Sequence, residues 1–151
     1  MPSELAVAIQ RRKARLVGCD GSGAEVVLFL HSSSSRGPRP ETVLERLNAL
    51  EGEFLPCELQ GSVVLINLLW VAYVEAAAEP LETQDGEKRI GIGLDLVSGE
   101  SFQGELVYVP RPGRARVSDL LNSSSERFLK VLLSPSTVRY VRREAILRVS
   151  F

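Results

Sequence analysis

Apolar residues recur along this chain in short blocks, most of them alternating with polar residues and closed by Gly, Pro, Asn, Asp or Ser. That texture predicts strands, because a period of two places alternate side chains on one face of a pleated chain. Ala14 to Cys19 is the first block, and Asp20-Gly21-Ser22-Gly23 turns it into Glu25 to His31. The second block carries Val26-Val27-Leu28-Phe29-Leu30, apolar on both faces, which predicts burial on both. Phe54 to Leu59, Val63 to Asn67 and Val71 to Glu75 follow as strands. Ala76 to Glu87 is an acidic linker without a period. The order then resumes with Arg89 to Val97, Ser101 to Val109, Phe128 to Leu133, Val138 to Arg142 and Ile146 to Val149. Helical spacing is brief: Glu41 to Asn48 turns Leu44 and Leu47 inward, and Ser118 caps one turn through Asn122. Ser3 to Gln10 fits either one or two helical turns or a leading strand, and Ser32 to Pro40 and Pro110 to Arg114 read as loops.

The second half restates the first. Val117 to Leu133 aligns with Val43 to Leu59 at a constant offset (117 − 43 = 74), and six of the 17 ungapped pairs are identical. Roughly one identity is expected by chance from common residue frequencies. After a one-residue slip the match continues with Ile66 on Val141, Val71 on Ile146 and Val74 on Val149. Self-similarity of this kind marks a duplicated unit. Five short strands and one helical turn per copy predict a small, strongly bent barrel. The expected fold is therefore mainly β: two tandem five-stranded barrels, each with one short helix. Residues 1–75 form the first barrel with an N-terminal extension, 76–88 an acidic linker, and 89–151 the second barrel. Phe54 and Phe128 are expected to be equivalent and buried, as are Leu47 and Leu121.

Val138-Arg139-Tyr140-Val141-Arg142-Arg143-Glu144-Ala145-Ile146-Leu147-Arg148-Val149 resembles the last two strands of an SH3-like or Sm-like barrel, joined by a tight helical turn. Arg116-Val117-Ser118-Asp119-Leu120-Leu121-Asn122 also resembles a family of small bacterial barrels with no assigned function. The resemblance implies a fold and brings no catalytic residues.

Hydrophobic residues make up 44% of the 151 and charged residues 25%, which suits a globular chain, and the net charge of −1 supplies no global pull toward nucleic acid or membrane. No basic leader opens the sequence, Leu5 to Ile9 is too short for a signal core, and Val63 to Val74 is interrupted by Asn67. Cys19 and Cys57 have no CxxC spacing and read as buried thiols of a cytoplasmic protein. His31 is the only histidine, which excludes a multi-His metal site, and beside Cys19 or Cys57 it lacks a third catalytic group. The chain is expected to be no enzyme, with no cofactor and no metal.

Two binding chemistries compete. Arg11-x-x-x-Arg15 contains the phosphate-clamping spacing of PilZ domains, but the partner motif is matched only at Asp20-Gly21-Ser22. Sm-like barrels bind single-stranded RNA through an Arg-Gly pair in the closing turn. Arg142 matches the Arg, whereas Arg143 and Glu144 depart from the pattern. Arg111, Arg114, Arg116, Arg139, Arg142 and Arg143 form a basic set able to track a phosphate backbone, with few aromatics for base stacking. The other chemistry is protein contact, including self-association. The turn that is charged in the second copy is Asn67-Leu68-Leu69-Trp70 in the first, so Leu68, Leu69 and Trp70 are expected to be covered by the chain itself or by a partner. A protein-interaction or scaffold module is the favoured reading, and nucleic-acid binding by the second copy the alternative.

Overall fold

The structure is a computed structural model, described for residues 9–32, 40–49, 52–78, 86–113, 116–122 and 126–151. The expectation of a mainly β chain holds. Ten strands appear in order: β1 (Ile9–Gly18), β2 (Gly23–His31), β3 (Phe54–Leu59), β4 (Ser62–Asn67), β5 (Val71–Ala77), β6 (Lys88–Leu96), β7 (Ser101–Tyr108), β8 (Phe128–Ser134), β9 (Thr137–Arg142) and β10 (Ile146–Ser150). Helix α1 (Val43–Ala49) precedes β3, α2 (Val117–Leu121) precedes β8, and a 3-10 turn, Arg143–Ala145, joins β9 to β10.

All ten strands belong to one antiparallel sheet that is not closed, in the order β10-β6-β7-β8-β9-β5-β1-β2-β3-β4. Hydrogen bonding therefore runs unbroken from one half into the other, through β5 against β9. In each half the strands stand in the same order: fifth, first, second, third, fourth. Local details recur with that order. The fifth strand skips one residue against the first at Ala72 and again at Leu147. Leu68 N donates to Glu53 O as Arg143 N does to Arg127 O, and Cys19 N donates to Trp70 O as Val97 N does to Ala145 O.

Two apolar cores lie on opposite faces of the junction. The first gathers Leu16, Leu28, Leu47, Leu55 and Leu68, and takes Phe128, Val138 and Tyr140 from the second half. The second gathers Leu94, Leu96, Leu106, Leu129 and Val131, and takes Val17, Ala72 and Tyr73 from the first. Strands at the junction are thus covered on both faces, which explains the nearly unbroken burial of β8.

Several local expectations need correction. β1 begins at Ile9 rather than Ala14, because the polar Gln10 to Lys13 pair with Leu30 to Val27; a ladder partner overrides the weak strand preference of charged residues. β2 is buried on one face only: Val26, Leu28 and Leu30 are inside, while Val27 and Phe29 are half-buried. β5 extends to Ala77, into the expected linker, because Ala76 and Ala77 pair with Val138 and Thr137. α1 is capped by Thr42, whose Oγ1 accepts from Glu45 N (3.1 Å) while Thr42 N donates to Glu45 Oε1 (3.1 Å). α2 is capped at Arg116 rather than Ser118, with Arg116 N donating to Asp119 Oδ2 (3.1 Å). Of Ser3 to Gln10, only Ile9 and Gln10 are described; residues 33–39 and 79–85 also lie outside the described residues.

Candidate functional site

The open edge of the first half is the place where apolar chemistry meets water. β4 pairs with β3 along its length, and among the described residues its other edge has no strand partner. Val63 and Leu65 on β4 are 69% and 62% exposed, and Phe54 at the start of β3 is 53% exposed. This corrects the expectation that Phe54 is buried. Its counterpart Phe128 is fully buried, as are Val138 and Tyr140, the counterparts of Val63 and Leu65. The difference is positional. Phe128 starts a strand covered by α1, where Asn48 Oδ1 accepts from Phe128 N (2.8 Å) and Asn48 Nδ2 donates to Phe128 O (3.3 Å). Nothing described in the chain covers Phe54 in that way. Leu47 is likewise buried, while Leu121 is only half-buried.

The turn Leu68-Leu69-Trp70 is mostly covered from within. Leu68 lies in the first core, and Trp70 packs against that core with its indole on Gly18, where a Cβ would overlap the ring. Leu69 remains 44% exposed. The cover includes Arg142 from the other half. Its Nε donates to Val71 O (2.7 Å), and its Nη2 donates to Leu69 O (2.9 Å) and approaches Cys19 Sγ at 3.4 Å. Glu144 lies 3.3 Å from Nη1.

Arg139 is engaged at the same junction. It bonds Glu75 Oε1 and Glu100 Oε2, each at 2.8 Å, and its guanidinium stands 4.4 Å from the Tyr73 ring centre and 4.6 Å from that of Phe102. Tyr73 donates its hydroxyl proton to Glu100 (2.9 Å); burial and then this bond push its pKa up to about 12. Part of the basic set expected to track phosphate is therefore engaged within the chain. Arg139 and Arg142 serve the junction, Arg116 is exposed beside Asp119 (3.8 Å), and Arg111 is exposed at a bridge position after β7. Arg143 is half-buried with Nη1 unpartnered among the described residues, and Arg114 lies outside them.

Arg11 pairs with Glu58 (3.0 Å) and Arg15 with Glu25 (3.1 Å). His31 is exposed at the end of β2, Cys57 is buried in β3, and burial raises the Cys57 thiol pKa. Glu41 feels burial, which acts to raise its pKa. The Arg46 fork (2.8 and 2.7 Å) and the His31 N–H (3.1 Å) outweigh it and hold the carboxyl below its ordinary range. No group of three or more His, Cys, Asp or Glu able to hold a metal occurs among the described residues. No helix among them is long and apolar enough to cross a membrane.

The exposed edge was legible only in part. Val63-Val64-Leu65-Ile66 is apolar on both faces, which signals a covered strand; that its cover is missing is a matter of sheet order. Comparison with protein-family models, curated proteins and solved structures gives no match.

Proposed function

We propose that the chain is a non-enzymatic, cytoplasmic protein-interaction module made of two copies of one small SH3-like or Sm-like unit, residues 1–75 and 89–151 joined by 76–88. The shared strand order, the repeated skip at Ala72 and Leu147, and the repeated turn hydrogen bonds support the duplication. The observation that carries the function is the β4 edge, which presents Val63 and Leu65 to water along a strand edge with no strand partner among the described residues. Exposed apolar edge strands invite pairing with another chain, and soluble proteins usually blunt them with charge or proline. β4 has neither, so a peptide or protein strand added there would gain main-chain hydrogen bonds and side-chain burial together. Two thiols without a bridge suit a reducing compartment.

Phosphate binding by the basic set finds less support, because Arg139 and Arg142 already spend their donors on carboxylates and carbonyls within the chain. A photo-crosslinking residue at Val63, with one at the exposed Glu25 as control, tests the interaction reading. Protein captured at 63 and absent at 25 is the expected result. Capture at neither position, with nucleic acid co-purifying by absorbance ratio, would replace it with the phosphate reading.

A further inference from the structure

Among the described residues, the chain contains one finished junction between its halves and leaves the two halves of a second junction open. In the finished one, β9, the fourth strand of the second half, pairs with β5, the fifth strand of the first. The strands left at the ends of the sheet are the complementary pair: β4, a fourth strand, and β10, a fifth strand. Resting on the duplication proposed above, we infer that a second copy of this chain is the partner, its β10 adding to β4 in the register that β5 keeps with β9.

That register is specific. Tyr73 stands opposite Val141, Val74 opposite Tyr140, and Glu75 opposite Arg139. Moving β5 forward and β9 back by the repeat offset of 75 sets Arg148 opposite Ile66, Val149 opposite Leu65, and Ser150 opposite Val64. Three side chains report that this contact is missing from a single chain. Val138, Tyr140 and Phe128 are all fully buried at the finished junction, and their counterparts Val63, Leu65 and Phe54 are all exposed. The helix tells the same story. Asn48 on α1 holds both backbone groups of Phe128, across the junction. Its counterpart Asn122 is exposed beside α2 and spends its amide on Ser118 O (2.8 Å). In the assembly, α2 of one copy lies over β3 of the next, and Asn122 takes the N–H and carbonyl of Phe54. Leu121, half-buried in a single chain, is covered at the same step.

The contact joins two different edges, so it is head-to-tail. Such contacts propagate, closing into a ring when the rotation permits and otherwise extending as a filament. The charged positions agree. β4 carries no Asp, Glu, Lys or Arg, and Arg148, the one charge on β10, is neutralised by Asp95 of its own chain at 2.7 Å.

The test uses the full chain and two single variants, Leu65→Lys and Val149→Glu, in sedimentation from about 1 to about 100 μM. Strand circular dichroism and Trp70 emission report that each variant is folded. The unmodified chain is expected to form assemblies larger than a monomer. Each variant weakens self-association at least about tenfold, since each breaks one side of every contact. An equimolar mixture of the two re-associates, because the intact β4 of one meets the intact β10 of the other and the introduced charges oppose each other with opposite sign. That rescue also excludes misfolding as the cause of the single losses. Assembly that persists in Leu65→Lys, or that is lost there and untouched in Val149→Glu, overturns the inference. So does a chain that stays monomeric at the highest concentration. If that monomer still gives crosslinks to another protein at Val63, self-assembly falls and the interaction reading stands; if it captures nothing, both fall.

Discussion

Arg142 was an expected phosphate contact and is instead a brace between the halves, so its removal should cost stability. The perturbation is Arg142→Met, which keeps much of the volume and removes every donor. The side chain is 7% exposed, and it donates to the carbonyls of Val71, a fully buried residue, and of Leu69. Losing the donor to a buried carbonyl costs about 1–3 kcal/mol. Leu69 is partly exposed, so water recovers some of its carbonyl's bond and the loss there is about 1 kcal/mol. Relief from holding a guanidinium out of water offsets part of this. The net expectation is a destabilisation of about 1–3 kcal/mol, or roughly 2–12 °C in Tm for a chain of this size. Urea unfolding followed by Trp70 fluorescence measures it, since Trp70 is the only tryptophan and packs beside the carbonyls that Arg142 holds. Arg116→Met, at a side chain 86% exposed, is the control and should stay within about 0.5 kcal/mol. A loss below about 0.5 kcal/mol for Arg142→Met, equal to the control, would refute the brace and return Arg142 to the set available for ligands.

Gly18 and Trp70 are matched in the second half by Leu96 and Ala145, a small–large pair with its sizes exchanged. Gly18→Leu should destabilise by about 3 kcal/mol or more, and adding Trp70→Ala should recover at least about 1 kcal/mol in a double-mutant cycle; strict additivity would refute the pairing. Tyr73 has a folded pKa above its ordinary 10.0, so its contribution is intact below pH 10 and is lost as pH rises toward about 12. Tyr73→Phe should flatten the stability profile in that window, and an unchanged profile would remove Tyr73 as the cause. Glu41 has the opposite sign: its depressed pKa gives stability that is present above its ordinary value of 4.5 and fades as pH falls through the folded value. Glu41→Gln should therefore show a shallower acid limb in thermal melts than the unmodified chain.

Local grammar determined much of this protein. The bounds of Phe54–Leu59 follow from the sequence alone, and those of most other strands follow within a residue or two, because turn residues and a period of two act over neighbouring positions. The repeat was legible for the same reason: Val-x-x-x-Leu-Asn followed by Phe-Leu is a string of letters, whatever surrounds it. Tertiary structure decided everything that depends on who stands beside whom. Phe54 and Phe128 occupy the same place in the same motif, yet one meets water and the other a helix from the opposite half. Arg139 and Arg142 look like a basic surface in the sequence, and the pairing of β9 with β5 turns them inward onto Glu75 and the Val71 carbonyl. Contacts such as Glu75 with Arg139 join residues 64 apart in the chain, and no local period encodes them. They arise because the two halves pair along β5 and β9, so that residues alike in sequence end in unlike surroundings.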